Sequence, residues 1–282
     1  MRRRLDVVAW VGARLGTSPG FERVARWIVP PERLLGLPEV CLARDGLLFI
    51  TRLGGPIGWH VAVCGSYEPE LRQIMRVIVP AGGVAIDIGA NTGWHTLLLA
   101  QLVGAEGRVL AVEANPSICN ELKRNIQINQ LGQVTVFAHA LAEGEGELAF
   151  LDVPADDPGS ASGHVVTAAD KAVKSISVRG RPLDALARDA GIERLDFIKM
   201  DVEGFEWPVL QGGRQIISRF RPPMIFEFDA AYAPRGGGSV ALLGEFFAGL
   251  GYRLYAVGRN WPTRIEPSRW PGCANILALP GD

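Results

Sequence analysis

From Val84 onward, short apolar runs alternate with amphipathic stretches, the rhythm of βαβ units in which helices cover both faces of a parallel sheet. The apolar runs predict strands at 84–88, 108–113, 134–138, 195–200 and 223–228, and the intervening patterns predict helices over 93–103, 116–130, 182–190 and 206–218. A last helix over 239–250 leads into strands at 252–257 and 274–279, joined by a loop that contains Pro and Trp but no helix. Two strands joined in that way are expected to be antiparallel neighbours. The predicted architecture is α/β: a doubly wound, Rossmann-like sheet, mostly parallel, with one antiparallel strand near its C-terminal edge.

The first 80 residues lack this rhythm. Basic residues outnumber acidic ones up to Arg33, with Trp10 and Trp27 among them, which fits short helices packed on the main domain or in peripheral contact with a membrane surface. Gly46–Arg52 and Ile57–Val63 flank Gly54-Gly55-Pro56, the composition of a hairpin. Glu68–Val79 reads as an amphipathic helix stopped by Pro80 and Gly82-Gly83. Residues 1–64 are thus an N-terminal extension and 65–282 the main domain. Within the latter, Pro154–Asp170 is rich in Gly, Ser, Ala and Asp without periodicity, as expected of a loop over the sheet.

Composition narrows the function. The chain has 282 residues, 48% hydrophobic and 21% charged, near globular averages. A formal net charge of -1 removes the broad positive field of a nucleic-acid binder. Cys41, Cys64, Cys119 and Cys273 are scattered with no CxxC pair, which suits packing residues and reduced thiols in a cytoplasmic protein. Arg2, Arg3 and Arg4 before the apolar run Val7–Val11 imitate a secretory signal, but Arg14 cuts the run short and no small-residue cleavage site follows.

Candidate chemistry begins at Val84–Gly93, a buried strand that delivers a glycine-bearing turn into a helix. Such a turn offers backbone N–H groups to a ligand carboxylate or phosphate, and Gly89 and Gly93 permit close approach. Glu113 ends the next strand, where a carboxylate accepts from both hydroxyls of a ribose, and Ala114-Asn115-Pro116 opens the following helix. A dinucleotide fingerprint would need glycine where Asn91 stands. The turn instead suits the amino-acid tail of S-adenosylmethionine, with Asp87 accepting from its ammonium. The candidate cofactor set is Asp87, Gly89, Ala90, Asn91, Thr92, Gly93, Glu113, Ala114, Asn115 and Ala140, the last beside His139 where adenine would lie.

A second buried strand ends in Asp201, Glu203 and Glu206, at the carboxyl edge where ligands sit in open α/β sheets. Glu206 reads as a helix N-terminal charge; Asp201 and Glu203 read as catalytic. Glu227 and Asp229 end the strand at 223–228 and converge on the same crevice if the sheet order makes the two strands neighbours. A divalent metal there is a secondary reading, because acidic strand ends are common in such sheets. His95, one position into the first helix, either points at the transferred group or packs; His60 and His164 carry no signal of their own.

These residues resemble the FkbM family of S-adenosylmethionine-dependent methyltransferases from about Gly65 to Leu279. The likeness rests on Ser66-Tyr-Glu-Pro69, Asp87-Ile-Gly-Ala-Asn-Thr-Gly-Trp-His-Thr96 and Gly107–Pro116, and continues in Asn125-Ile-Gln-Ile-Asn129, Lys199-Met-Asp-Val-Glu-Gly-Phe-Glu206, Leu210-Gln-Gly-Gly213 and Glu227. Ala114 and Pro182 depart from the family's commoner Pro and Thr. The resemblance implies a class I methyltransferase sheet, with Asp87, Gly89, Asn91 and Glu113 on the cofactor, Asp201 at the reaction centre, and a small-molecule hydroxyl acceptor such as a sugar or polyketide.

For such a reaction the protein must align oxygen, methyl and sulfur, an effect worth about 7 to 11 kcal/mol. A general base is expected to add about a hundredfold, with Asp201 or Glu203 in that role and His95 in reserve. The competing readings are a nucleotide-dependent oxidoreductase on a similar sheet and a non-catalytic cofactor-binding protein.

Overall fold

The computed structural model describes residues 20–151, 163–167, 174–258, 262–266 and 269–281. The Arg2–Arg4 cluster, the run Val7–Val11 and Trp10 lie outside these residues, as does most of the segment 154–170. Within the described residues the N-terminal stretch opens with a helix, Phe21–Ile28 (α1), followed by a hairpin of Val40–Arg44 (β1) and Leu47–Thr51 (β2). That hairpin is not the expected one. It turns at Asp45-Gly46, both at positive φ (54° and 77°), the mirror-image geometry that suits a two-residue loop. The stretch expected to pair with β2 is instead helical, Pro56–Trp59 (α2) running on into a π-type turn over His60–Cys64. Pro56 occupies the first helical turn, where its missing N–H costs nothing, so Gly55-Pro56 starts a helix and does not reverse a strand.

Next come Pro69–Ile78 (α3), Val84–Ile88 (β3), Trp94–Val103 (α4), Arg108–Val112 (β4), Pro116–Ile128 (α5) and Val134–Phe137 (β5), all within two residues of expectation. The following stretch was not foreseen: Ala140–Leu141 (β6), Gly146–Leu151 (β7) and Ser175–Arg181 (β8) make a separate three-stranded sheet. The chain then forms Leu183–Asp189 (α6), Phe197–Met200 (β9), Glu206–Gly212 (α7), Arg214–Phe220 (α8) and Met224–Asp229 (β10). It ends with Val240–Gly249 (α9), Tyr252–Val257 (β11), Thr263–Arg264 (β12) and Cys273–Pro280 (β13). The single helix expected over 206–218 is two, broken at Gly212-Gly213, where the backbone passes so close to Ala142 that a Cβ on Gly212 would lie 2.1 Å from its carbonyl oxygen.

The central sheet has eight strands in the order β12-β11-β13-β10-β9-β3-β4-β5. The five strands from β5 to β10 run parallel, and β13 inserts antiparallel between β10 and β11, so the expected reversal near the C-terminal edge is present. Side-chain alternation sorts the core into two layers. Ile86, Ile88, Ile198, Met200, Phe226 and Phe228 face one, while Ala85, Phe197, Ile225 and Leu277 face the other with Leu98 and Leu99 of α4. On that second face the same register aligns four polar side chains near the carboxyl ends. Asp87 pairs across to Lys199, Lys199 neighbours the strand bearing Glu227, and Glu227 pairs across to Asn275.

The extension packs on this sheet through Phe49 and Val61, which meet Trp94 and Leu97. Two asparagines one helical turn apart on α5 fasten it. The Asn125 amide accepts from Ile50 N (2.7 Å) and donates to the carbonyls of Ile50 (3.0 Å) and Thr92 (2.8 Å); Asn129 makes the equivalent pair with Leu48 N and O. Alternate residues of β2 thereby pair with a helix as if with another strand, which covers an edge that would otherwise be open. Cys119 alone of the four cysteines is buried; all are free thiols, and Cys41 and Cys273 are exposed, so the expectation that all four are packing residues fails for those two strand positions. Among the described residues no helix is long and apolar enough to cross a membrane.

Asn125→Ala removes three bonds to buried or half-buried backbone and is expected to destabilise by about 2 to 4 kcal/mol, against about 1 for Asn129→Ala at the more exposed end. Urea denaturation of the two variants checks the order; equal losses would contradict it.

Candidate active site

Sheet order places β3 between β4 and β9, the point where the connections change direction and a crevice opens at the strand ends. Gly89 lines that point at φ 72°, and a Cβ there would stand 1.8 Å from the Asp201 carbonyl oxygen, so only glycine lets β3 and β9 approach. The turn that follows is closed upon itself. Gly89 N and Ala90 N both donate to the Val112 carbonyl (2.9 and 3.0 Å), Asn91 N to Glu113 Oε2 (2.9 Å), Thr92 N to Asn91 Oδ1 (2.7 Å) and Gly93 N to the Ala90 carbonyl (3.0 Å). The amides from Gly89 to Gly93 are thus bonded within the protein, and the N–H groups that lack an intrahelical acceptor are those of the first turn of α4.

Glu113 is the residue that fixes the turn. Buried at the end of β4, it accepts from Asn91 N through one oxygen and from Asn115 N (2.8 Å) through the other. Burial pushes its carboxyl above the usual range, with those two amides pulling the other way. A carboxylate has about four acceptor positions, and those not taken by backbone amides remain for a ligand. They look into a cleft of about 690 Å³, counted out to solvent, lined by Gly89, Asn91, Glu113, Ala114, Asn115 and Ala140 of the expected set and by Asp201 and Glu203. His139 borders it, as the sequence suggests, and Phe150, Val165 and Phe205 supply apolar walls that carried no motif. Phe150 and Val165 come from β7 and from the strand bridge it makes to residue 165, so the small sheet is one side of the cleft.

Four expected cofactor contacts lie elsewhere. Asp87 is fully buried; its Oδ2 accepts from the Thr96 hydroxyl (2.6 Å) and its Oδ1 lies 3.8 Å from Lys199 Nζ, which leaves it no path to a ligand ammonium. Gly93 packs against Leu122, Thr92 lines a separate groove with Thr51 and Gly58, and Ala90 faces a second chamber.

That chamber, about 490 Å³, shares Gly89, Asn91, Asp201 and Glu203 with the cleft and adds Tyr67, Trp94, His95, Lys199 and Glu227. Asp201, Glu203 and Glu227 each bring a carboxylate oxygen within 4.8 Å of the others, so the convergence expected of neighbouring strands occurs. Asp229 does not join them, because its carboxylate accepts from Ala231 N in the next turn. Glu206 takes the helix-start position expected of it, accepting from Gly204 N (3.2 Å) and Val202 N (3.4 Å), while burial pushes its carboxyl up to about 7. Burial and the neighbouring Asp201 push Glu203 up to about 7, while burial, Asp201 and Glu203 push Glu227 up to about 9. Glu203 stands at φ 54° and lines both cavities.

Two contributors were missed by sequence reasoning. Lys199 is buried with its ammonium 3.4 Å from Asp201 Oδ2 and 3.4 Å from the Gly89 carbonyl. Burial alone would discharge it, but Asp201, Asp87 and Glu68 outweigh burial and hold it charged, above the ordinary lysine range. Glu68, at φ 47° before α3, meets His95 Nε2 at 2.8 Å and accepts from Asn275 Nδ2 at 3.1 Å. Burial raises its carboxyl, the hydrogen bond and charge of His95 more than offset this, and it stays ionised. A lysine in an apolar strand run was the available signal for the first; the Ser66-Tyr-Glu-Pro69 motif marked the stretch that holds the second but not its partners.

Residues 87–254 match the family model described as the methyltransferase FkbM domain. The chain belongs to the FkbM methyltransferase family. Among curated relatives, this FkbM-family chain is similar to the 2-O-methyltransferase NoeI of Sinorhizobium fredii, 26% identical over 53% of this chain and 65% of that one. It is also similar to the hexuronic acid methyltransferase AglP of Haloferax volcanii, 28% identical over 51% and 56%. The chain thus spans less than two thirds of the length of either relative. A crystal structure of methyltransferase FkbM from Methylobacillus flagellatus aligns over 78% of this chain and 52% of that one, at 17% identity and a TM-score of 0.44.

Raised carboxyl values have a signed consequence. Between the ordinary 4.5 and about 7 the unfolded chain releases the Glu203 proton while the folded chain keeps it, so this group's share of stability falls as pH rises. For Glu227 the fall extends to about 9. Denaturant midpoints of the native chain, Glu203→Gln and Glu227→Gln from pH 5 to pH 9 are expected to show each variant gaining on the native chain over its own window; parallel profiles would contradict the assignment.

Proposed function

We propose that the protein transfers the methyl group of S-adenosylmethionine to a hydroxyl of a small molecule, a sugar being the favoured class. The observation that carries this is the pair of cavities that meet at Gly89, Asn91, Asp201 and Glu203. One offers a ribose-binding carboxylate between apolar walls fit for a nucleoside; the other offers hydrogen-bond acceptors fit for hydroxyls. Acidic walls suit the cationic sulfonium and disfavour a pyrophosphate, and Asn91 stands where a dinucleotide turn needs glycine, so an NAD-linked oxidoreductase fits poorly. The printed names of the two curated relatives, which specify methyl transfer to O-2 and to a hexuronic acid, support a sugar acceptor.

In this reading Glu113 holds the ribose, His139 and Ala140 border the adenine, and Asp201 and Glu203 stand where the cavities join. The cofactor supplies an electrophilic methyl on a good leaving group. Glu203 or Asp201 receives the hydroxyl proton. Lys199 and the hydrogen bond between Asp201 and Glu227 supply the compensation that three carboxylates need, so we assign no metal to them. Four free thiols, two of them exposed, support a reducing, cytoplasmic setting.

Calorimetry is expected to find micromolar binding of S-adenosylmethionine and its demethylated product, at least tenfold weaker in Glu113→Ala, and no heat with NADH; the reverse selectivity would refute the reading. With an acceptor in hand, kcat/KM is expected to rise through about pH 7 as Glu203 ionises, and Glu203→Gln to lose that limb with about a hundredfold of rate, while a chelator leaves the rate unchanged.

A further inference from the structure

Helix α1 carries an apolar face that its own packing leaves in water. Its inner side is engaged by the core of the extension, where Ala25 and Val29 are buried and Phe21 and Ile28 pack against the cluster that holds Trp59. On the outer side Val24 and Trp27, three positions apart and so neighbours on the helix surface, are 55% and 86% exposed. A single exposed aliphatic residue is ordinary, but an indole almost wholly in water beside a second apolar side chain is a contact face. Tryptophan suits the boundary between water and lipid, because its ring is apolar while its N–H is polar.

Charge is segregated to the same stretch. Residues 1–35 contain seven arginines against three acids, whereas residues 36–282 contain 22 lysines and arginines against 27 acids. One end of a nearly neutral chain is therefore cationic. On α1 the acid, Glu22, is paired with Arg26 (3.0 Å) and lies 3.3 Å from His60, which leaves Arg23 as the net charge beside Val24 and Trp27. Arg33 is exposed in the turn after the helix. The sequence ahead of α1 repeats the combination, with Arg2-Arg3-Arg4 and Arg14 on either side of Val7-Val8-Ala9-Trp10-Val11.

We propose that this end of the protein docks on an anionic bilayer, with Val24 and Trp27 entering the headgroup region and the arginines, Arg23 foremost, meeting acidic lipid headgroups. Basic side chains supply the attraction and the apolar face supplies the insertion, the two components of interfacial binding. A nucleic acid would use the arginines and leave Val24 without a partner, and a second copy of the chain would bring two cationic ends together. The acidic remainder of the chain is repelled by the same surface, so the field orients the approach as well as driving it. Arg23, Val24 and Trp27 line neither the cleft nor the chamber, so docking is separable from the chemistry by mutation.

Sedimentation of the full chain with vesicles tests this. Binding to phosphatidylcholine vesicles that contain phosphatidylglycerol is expected to exceed binding to phosphatidylcholine alone by about tenfold or more, and to fall as salt is raised. Val24→Ser combined with Trp27→Ser is expected to weaken that binding by about tenfold or more, and Arg23→Glu to reduce the preference for acidic lipid, with the thermal midpoint of each variant unchanged. No binding to either vesicle, equal binding to both, or binding that these variants leave intact overturns the inference. So does a dimer in sedimentation velocity that Trp27→Ser abolishes, because the face then belongs to a second copy.

Discussion

A single buried ammonium holds the site together. Lys199 lies in the middle of the sheet at the point where the connections reverse, between Asp87 on one neighbouring strand and Asp201 at the end of its own. Taking these charges out of water is costly, and the arrangement persists because the opposite charges are close and Thr96 satisfies an Asp87 oxygen. The same cation compensates the acidic wall beyond it. Without Lys199, Asp87 would be a charge with nowhere to go, and Asp201, Glu203 and Glu227 would repel one another with only protons to relieve them. The arrangement at the strand ends therefore depends on an ion pair, Lys199 with Asp87, that is almost wholly buried.

The cofactor side depends on a different economy of groups. Glu113 spends two of its acceptor positions on the backbone amides of Asn91 and Asn115, which shapes the glycine turn before any ligand arrives. What it has left faces the cleft. Shape and recognition are thus the work of one carboxylate, and the turn is preorganised because its amides are already bonded among themselves. The small sheet contributes by contrast only surface, closing the cleft with Phe150 and Val165.

Much of this was legible from residue pattern, and the failures have physical causes. The strands from Val84 to Asp229 announce themselves because they are buried on both faces and read as unbroken apolar runs. The reversal at the C-terminal edge followed from two strands with no helix between them. Gly55-Pro56 misled because the same dipeptide serves a turn and a helix start, and the distinction lies in the contacts of the residues after it; Asp45-Gly46 held the stronger hairpin signal. Gly146–Leu151 and Ser175–Arg181 alternate weakly, since their sheet is half exposed, and were passed over. Asp87 was assigned to the ligand because an acid at that position looks available in one dimension, whereas its burial is set by Lys199, more than a hundred residues away. The pairing of Glu68 with His95 and Asn275 needed the sheet order, which no local motif encodes.

The bond between Asn275 and Glu68 spans 207 positions of chain. The residues that line the cleft all fall between 88 and 205, while the chamber beside it is braced through Glu68 by β13, which wedges between two strands that precede it in sequence. During synthesis, then, every residue that lines the cleft has left the ribosome well before the last strand emerges to brace the chamber beside it. A nascent chain lacking that strand would leave Glu68, and with it the His95 ring, braced from one side alone.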